Sequence, residues 1–150
     1  MKKKPVLVFV CTGNTCRSPM AQYILKAMVG KYPDLTVRIT SYGTSVTEAD
    51  LNPKAKLALL SFGFKSGKFT PKQITVDKAK GFDAIVAMTD AKMKELVSAG
   101  YKNVYSINQL TGLGDVADPY GRDQSFYNDC CKKLVAACEI ILSMLKEVLK

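Results

Sequence analysis

The feature that most restricts what this chain can become is a junction near its start. Residues 6–10 are a short run of Val, Leu and Phe, preceded by Pro5 and followed by Cys11-Thr12-Gly13-Asn14. An apolar run of that length between turn formers reads as a buried strand. After it the apolar spacing becomes helical, with Met20, Ala21, Ile24, Leu25, Met28 and Val29 on one face. Ser18 is the expected N-cap and Pro19 the expected first helical residue. A buried strand that turns straight into a helix is the opening of a βαβ unit, since a helical crossover is how the next strand is brought in parallel.

The rest of the chain repeats the alternation. A second strand is expected at residues 37–41, and a polar loop then runs to Asn52. Pro53 opens a helix carrying Ala55, Leu57, Ala58, Leu59, Leu60 and Phe62, which stops before Gly63. A third strand is expected at residues 84–88, a helix at 90–98, a fourth strand at 104–107, and an irregular acidic loop at 111–123. The last element is a long amphipathic helix with Phe126, Cys130, Leu134, Ala137, Cys138, Ile141, Leu145 and Val148 on its buried face. The pattern predicts one α/β domain over residues 1–150, a four-stranded parallel sheet with helices on both faces.

Histidine is absent, which excludes a Ser-His-Asp or Cys-His nucleophile pair and any zinc site built on imidazole. Chemistry must come from carboxylates, Cys, Lys, Arg, hydroxyls or backbone. The net charge of +9 would suit an anionic partner, but of 22 basic residues only Arg17, Arg38 and Arg122 are arginine. The lysines are scattered apart from Lys2, Lys3 and Lys4, so a solvated basic surface is expected, with no nucleic-acid or membrane partner. Five cysteines, two of them adjacent at Cys130 and Cys131, do not form a disulfide framework. The apolar stretch behind the basic start is too short for a signal-peptide core, and a cytoplasmic protein with reduced thiols is expected.

In an α/β sheet, ligands sit beyond the carboxyl ends of strands, where loops lead into helix N-termini. The first strand ends there in Cys11-Thr12-Gly13-Asn14-Thr15-Cys16-Arg17-Ser18. Successive inward N–H groups closed by a helix N-terminus make an anion cradle, and Gly13 and Asn14 tolerate the left-handed backbone such a wrap demands. Arg17 can fold back and donate two parallel hydrogen bonds to phosphate. The same donors favour a thiolate at Cys11, below a bound phosphorus and in line for attack, with Ser18 as a hydroxyl donor to it. A metal reading of Cys11 and Cys16 lacks further ligands. Leaving-group protonation without histidine falls to a carboxylic acid, Lys or Tyr. Asp118, held extended by Pro119, is the favoured candidate, with Asp123 read as the cap of the last helix, Asp115 as loop solvation and Asp90 as a helix cap.

Cys11 to Ser18, the following Pro19-Met20-Ala21, and the late Asp118-Pro119-Tyr120 resemble the low-molecular-weight protein tyrosine phosphatases, and the element order agrees along essentially the whole chain. The resemblance implies Cys11 as nucleophile, Arg17 as phosphate clamp and Asp118 as general acid and then base, acting through a phosphocysteine without metal or cofactor. It implies substrate contacts from Thr12, Gly13, Asn14, Thr15, Cys16, Ser18 and Tyr120, with Asn14 and Ser41 bracing the loop. It also implies a reversible protective disulfide between Cys11 and Cys16. The expected partners are a phosphorylated protein as substrate and inorganic phosphate as product.

Thr15 stands where phosphotyrosine-directed members carry an apolar residue, the loop at residues 44–51 lacks an aromatic, and Gly121 follows Tyr120. With Thr12 and Met88-Thr89, these departures look more like the protein arginine phosphatase branch. A Thr hydroxyl suits a polar leaving group, an apolar residue a phenyl ring. Tyr120 offers a wall on which either a ring or a guanidinium can stack. Two other activities fit a Cys loop on this fold. An arsenate reductase needs two further Cys near mid-chain, and none lies between Cys16 and Cys130. A phosphocysteine carrier has no use for the hydrolytic pair Arg17 and Asp118.

Overall fold

Alternate residues of the first strand serve two different cores. In β1 (Val6–Cys11), Leu7, Phe9 and Cys11 belong to one buried cluster, and Val8 and Val10 to another. Side chains alternate across a strand, so a continuous apolar run means both faces are covered. The computed structural model describes residues 4–149; Lys2 and Lys3 of the basic start lie outside them.

The further elements are α1 (Arg17–Val29), β2 (Arg38–Gly43), α2 (Pro53–Ser61), α3 (Val76–Ala79), β3 (Ala84–Ala87), α4 (Asp90–Ser98), β4 (Val104–Ser106), α5 (Ile107–Thr111) and α6 (Gln124–Val148). The four strands pair in parallel in the order β2-β1-β3-β4. The larger cluster joins β1 to α1, α2 and α6 through Met20, Ile24, Leu59, Leu134 and Ile141, and the smaller joins it to α4 through Leu96. The chain leaves β1 towards β2 and later returns to place β3 on the other side of β1. The carboxyl end of β1 is therefore the switch point where such sheets open a crevice.

Several local expectations are corrected. The residue capping α1 is Cys16, with no side-chain cap bond, so Ser18 is the second helical residue and Pro19 the third. Ser18 cannot cap because its hydroxyl is engaged inside the loop, and Pro19 is tolerated because a first-turn N–H has no intrahelical acceptor anyway. Thr89 rather than Asp90 caps α4, its side chain accepting from the Lys92 N–H. Asp90 instead takes hydrogen bonds from Ser106 Oγ at 2.5 Å and Asn108 Nδ2 at 3.0 Å. Asp115 is not merely solvated: its Oδ1 accepts from the Asp90 N–H at 2.9 Å. Asp123 does cap α6, accepting from the Ser125 N–H.

On α6 the buried aromatic is Tyr127, while Phe126 is 42% exposed beneath the Arg122 guanidinium, 3.8 Å from its ring centre, and Val148 is exposed. The one-turn helices α3 and α5 carry no readable period. Strand β2 runs on to Gly43, two residues past its expected end, while β3 stops at Ala87 and β4 at Ser106, each one short.

Candidate active site

Between β1 and α1 the backbone turns through residues 12–16. Asn14 sits there at φ 57°, and it alone of the two expected residues adopts the left-handed conformation; Gly13 does not. The strain of that geometry is held by three hydrogen bonds. Asn14 Nδ2 donates to Ser18 Oγ at 2.8 Å and to Ser41 Oγ at 3.0 Å, and Asn14 Oδ1 accepts from the Lys72 N–H at 2.9 Å. Ser41 Oγ in turn donates to Gln22 Oε1 at 2.6 Å. Asn14, Ser18 and Ser41 are fully buried, so the loop is braced from within.

The brace leaves backbone donors unused. The N–H groups of Gly13, Asn14, Thr15 and Cys16 have no hydrogen-bond partner among the described residues, and the first bond of α1 runs from the Met20 N–H to the Cys16 carbonyl at 3.1 Å. The amides of Arg17 and Ser18 precede it and have no intrahelical acceptor. Stacked amides at the positive end of a 13-residue helix form a site for an anion.

Cys11 Sγ lies at the base of this ring, 2.9 Å from Ser18 Oγ. The residue is only 3% exposed, yet it lines a pocket of about 320 Å³ with Thr12, Gly13, Thr15, Cys16 and Arg17. Arg17 Nη1 donates to the Val116 carbonyl at 3.1 Å, and its Nη2 is 3.6 Å from Asp118 Oδ2. The far wall is completed by Ser45, Thr47, Glu48, Asp118 and Tyr120. Asp118 is half exposed, and its Oδ1 accepts from the Tyr120 N–H at 3.1 Å, which fixes the Asp-Pro-Tyr turn.

The sequence-predicted residues therefore divide. Cys11, Thr12, Gly13, Thr15, Cys16, Arg17, Asp118 and Tyr120 converge on one pocket, whereas Asn14 and Ser18 lie behind it and shape it. Thr15 Oγ1 is 3.6 Å from Cys16 Sγ, and Cys16 Sγ reaches Tyr127 Oη at 3.7 Å. Burial pushes the Cys16 thiol up, partly offset by those two hydroxyls. Burial also raises Tyr127, Cys130, Cys131 and Cys138, so the thiols of α6 behave as core side chains rather than as a relay.

Four residues of the site, Gly43, Ser45, Thr47 and Glu48, were not found from sequence. Gly43 sits where an added Cβ would meet the Thr12 carbonyl oxygen at 2.6 Å, Val46 Cγ2 at 2.9 Å and Asn14 Cβ at 3.0 Å. A strand-ending glycine beside the cradle is the only sequence sign of that close approach. Glu48, in the loop without an aromatic, reaches the pocket through a fold-back that no local pattern encodes.

A cysteine at the floor of an amide ring, an arginine from the same loop and a carboxylate across the opening define a thiol-dependent phosphohydrolase. The family model described as low molecular weight phosphotyrosine protein phosphatase matches residues 6–150, and the chain belongs to that family. A protein-arginine-phosphatase of Bacillus subtilis is 29% identical over 148 residues, covering 94% of this chain and 97% of that protein. A low molecular weight protein-tyrosine-phosphatase, PtpB, of Staphylococcus haemolyticus is 30% identical over 133 residues, covering 86% of this chain and 91% of that protein. A solved YwlE arginine phosphatase mutant with a phosphorylated active-site serine matches at a TM-score of 0.87 and 28% identity, over 97% of this chain and 99% of that one. Both substrate names thus occur at nearly equal identity. The protein is a cysteine-dependent protein phosphatase of this family. Among the described residues no helix is long and apolar enough to cross a membrane.

Proposed function

We propose that this chain hydrolyses phosphoarginine side chains of proteins through a phosphocysteine on Cys11. The observation that carries the reading is the composition of the pocket rim around the cradle: Thr15, Ser45, Thr47, Glu48 and Asp118, with Tyr120 the one aromatic. A polar rim suits a guanidinium leaving group and leaves a phenyl ring poorly desolvated. Phosphotyrosine is the second reading, favoured by the Tyr120 ring, which is 58% exposed at the opening and free to stack on an aromatic substrate.

In the first step the Cys11 thiolate attacks phosphorus in line, an S–P bond forms, and the P–N bond breaks, or the P–O bond in a phosphotyrosine. Asp118, as the carboxylic acid, gives its proton to the departing nitrogen or oxygen. Arg17 and the loop amides carry the charge on the equatorial oxygens. In the second step the Asp118 carboxylate takes a proton from water, the resulting oxygen attacks phosphorus, and the S–P bond breaks to return the thiolate and inorganic phosphate. Ser18 stabilises the thiolate that leaves, through the 2.9 Å contact. General acid catalysis of this kind contributes about 10²–10⁴-fold.

The reading extends to a reducing, cytoplasmic setting, supported by five cysteines that are all unpaired, and to a protective Cys11–Cys16 disulfide under oxidation. Initial rates on phosphoarginine and phosphotyrosine for wild type and Thr15→Ile test the substrate assignment. Wild-type preference for phosphoarginine, shifted towards phosphotyrosine by the substitution, is expected. Wild-type preference for phosphotyrosine with no effect of the substitution contradicts it.

A further inference from the structure

The opening of the pocket carries a carboxylate that the two-step reaction does not use. Glu48 lines both the catalytic pocket and an adjoining hollow of about 250 Å³, where Thr15 and Tyr120 again form the shared border. Glu48 is exposed and has no hydrogen-bond or ion-pair partner among the described residues. In a chain of net charge +9, no lysine or arginine among the described residues pairs with Glu48, whereas the other rim carboxylate, Asp118, faces Arg17. Its charge is left for whatever enters.

The loop that bears Glu48 is pinned to the cradle on both sides. The Thr44 N–H donates to the Cys11 carbonyl at 3.0 Å, the Ser45 N–H to the Thr12 carbonyl at 2.9 Å, and the Asn52 N–H to the Thr15 carbonyl at 3.0 Å. Lys92 Nζ reaches Thr44 Oγ1 at 3.0 Å, and the Val46 N–H donates to Gln73 Oε1 at 2.9 Å. The carboxylate is thereby mounted on a segment registered to the residues that bind phosphate, as a group that discriminates between substrates must be.

We propose that Glu48 determines specificity, its carboxylate accepting N–H donors of the guanidinium that leaves from phosphoarginine. The inference rests on the phosphatase reading above and deepens it. With the phosphoryl group seated on the amide ring, the guanidinium of phosphoarginine points out to the rim, cationic and rich in donors. A charge-assisted hydrogen bond is available there, and the Tyr120 ring offers its face to the same cation. An aryl phosphate brings only negative charge and an apolar ring past Glu48, so the same carboxylate opposes it.

The test is a comparison of kcat/KM on a phosphoarginine peptide and on para-nitrophenyl phosphate for wild type, Glu48→Gln and Glu48→Lys. Because Glu48 is exposed and unpartnered, thermal unfolding of both variants should match wild type. Glu48→Gln should lower kcat/KM for phosphoarginine about tenfold, and raise it for para-nitrophenyl phosphate by up to about twofold, with Glu48→Lys moving both further. Opposite movement is a signature that a merely structural role would not give. Parallel movement of the two substrates, or an unmoved phosphoarginine rate, overturns the role of Glu48 while leaving the phosphatase reading intact. A wild type that hydrolyses neither substrate overturns both.

Discussion

Ser18 Oγ stands 2.9 Å from Cys11 Sγ while accepting a hydrogen bond from Asn14 Nδ2 at 2.8 Å. The Ser18 hydroxyl also reaches the Tyr42 carbonyl at 3.5 Å, and against a thiolate, which can only accept, the shorter contact has the hydroxyl as donor. In the proposed mechanism the hydroxyl holds the thiolate whenever sulfur is the attacking or the departing group. Ser18→Ala should lower kcat by about 10- to 100-fold, the worth of a hydrogen bond to a charged group. Rapid-mixing kinetics with para-nitrophenyl phosphate should show a burst, because release of the thiolate slows. A variant as fast as wild type would remove Ser18 from the mechanism.

Asp118 faces Arg17 across the pocket at 3.6 Å and is half open to solvent, a position from which it can serve both leaving group and water. Asp118→Asn should slow the first step by about 10²–10⁴-fold for poor leaving groups and much less for activated aryl phosphates. Rates across a series of aryl phosphates of graded leaving-group acidity give this directly. An equal loss across the series argues against proton donation.

At Gly43 the sheet touches the cradle itself, with the Thr12 carbonyl oxygen 2.6 Å from where a Cβ would stand. The neighbour is backbone and cannot swing aside. Gly43→Ala should cost about 1–3 kcal/mol of stability and weaken inhibition by inorganic phosphate, as seen by urea denaturation and inhibition constants. Unchanged phosphate affinity would mean that the cradle absorbs the displacement.

Thiols buried on α6 give the fold an alkaline limit. Burial lifts Cys130 to about 12 and Cys131 to about 11 from their ordinary 9.0. Between pH 9.0 and those values the folded chain holds more protons than the unfolded one, so stability is full below pH 9.0 and falls as pH rises through the window. Thermal midpoints measured from pH 7 to 11 should decline above about pH 9, and the decline should be shallower in Cys131→Ala. The same slope in both proteins would place the titrating groups elsewhere.

How far the sequence could be read depended on the range of the interaction concerned. The strands and the longer helices were legible because periodicity is local, and the Cys11 to Arg17 loop because its order of residue types is fixed by the anion it wraps. Ser18 was misread as a cap because the partners that claim its hydroxyl, Cys11 and Asn14, are set by the loop's closure and not by helix statistics. Phe126 and Tyr127 are neighbours, and the choice between them turned on Cys16, 111 residues away from Tyr127, and on Arg122 stacking at the surface. Asp118 was legible from its proline and tyrosine neighbours, whereas Glu48 and Gly43 acquire their roles only when β2 brings its loop against β1.

The central claim is that Cys11 carries the phosphoryl group between two chemical steps. Asp118→Asn keeps the nucleophile and retards the water step, so brief incubation with an activated aryl phosphate, whose departure needs little proton donation, followed by an alkaline quench and intact-mass analysis, should reveal one phosphoryl group, mapped by peptide sequencing to Cys11. The Cys11→Ser protein should bind phosphate and turn over no substrate. A phosphoryl group found on another residue, or sustained turnover by Cys11→Ser, would contradict the account.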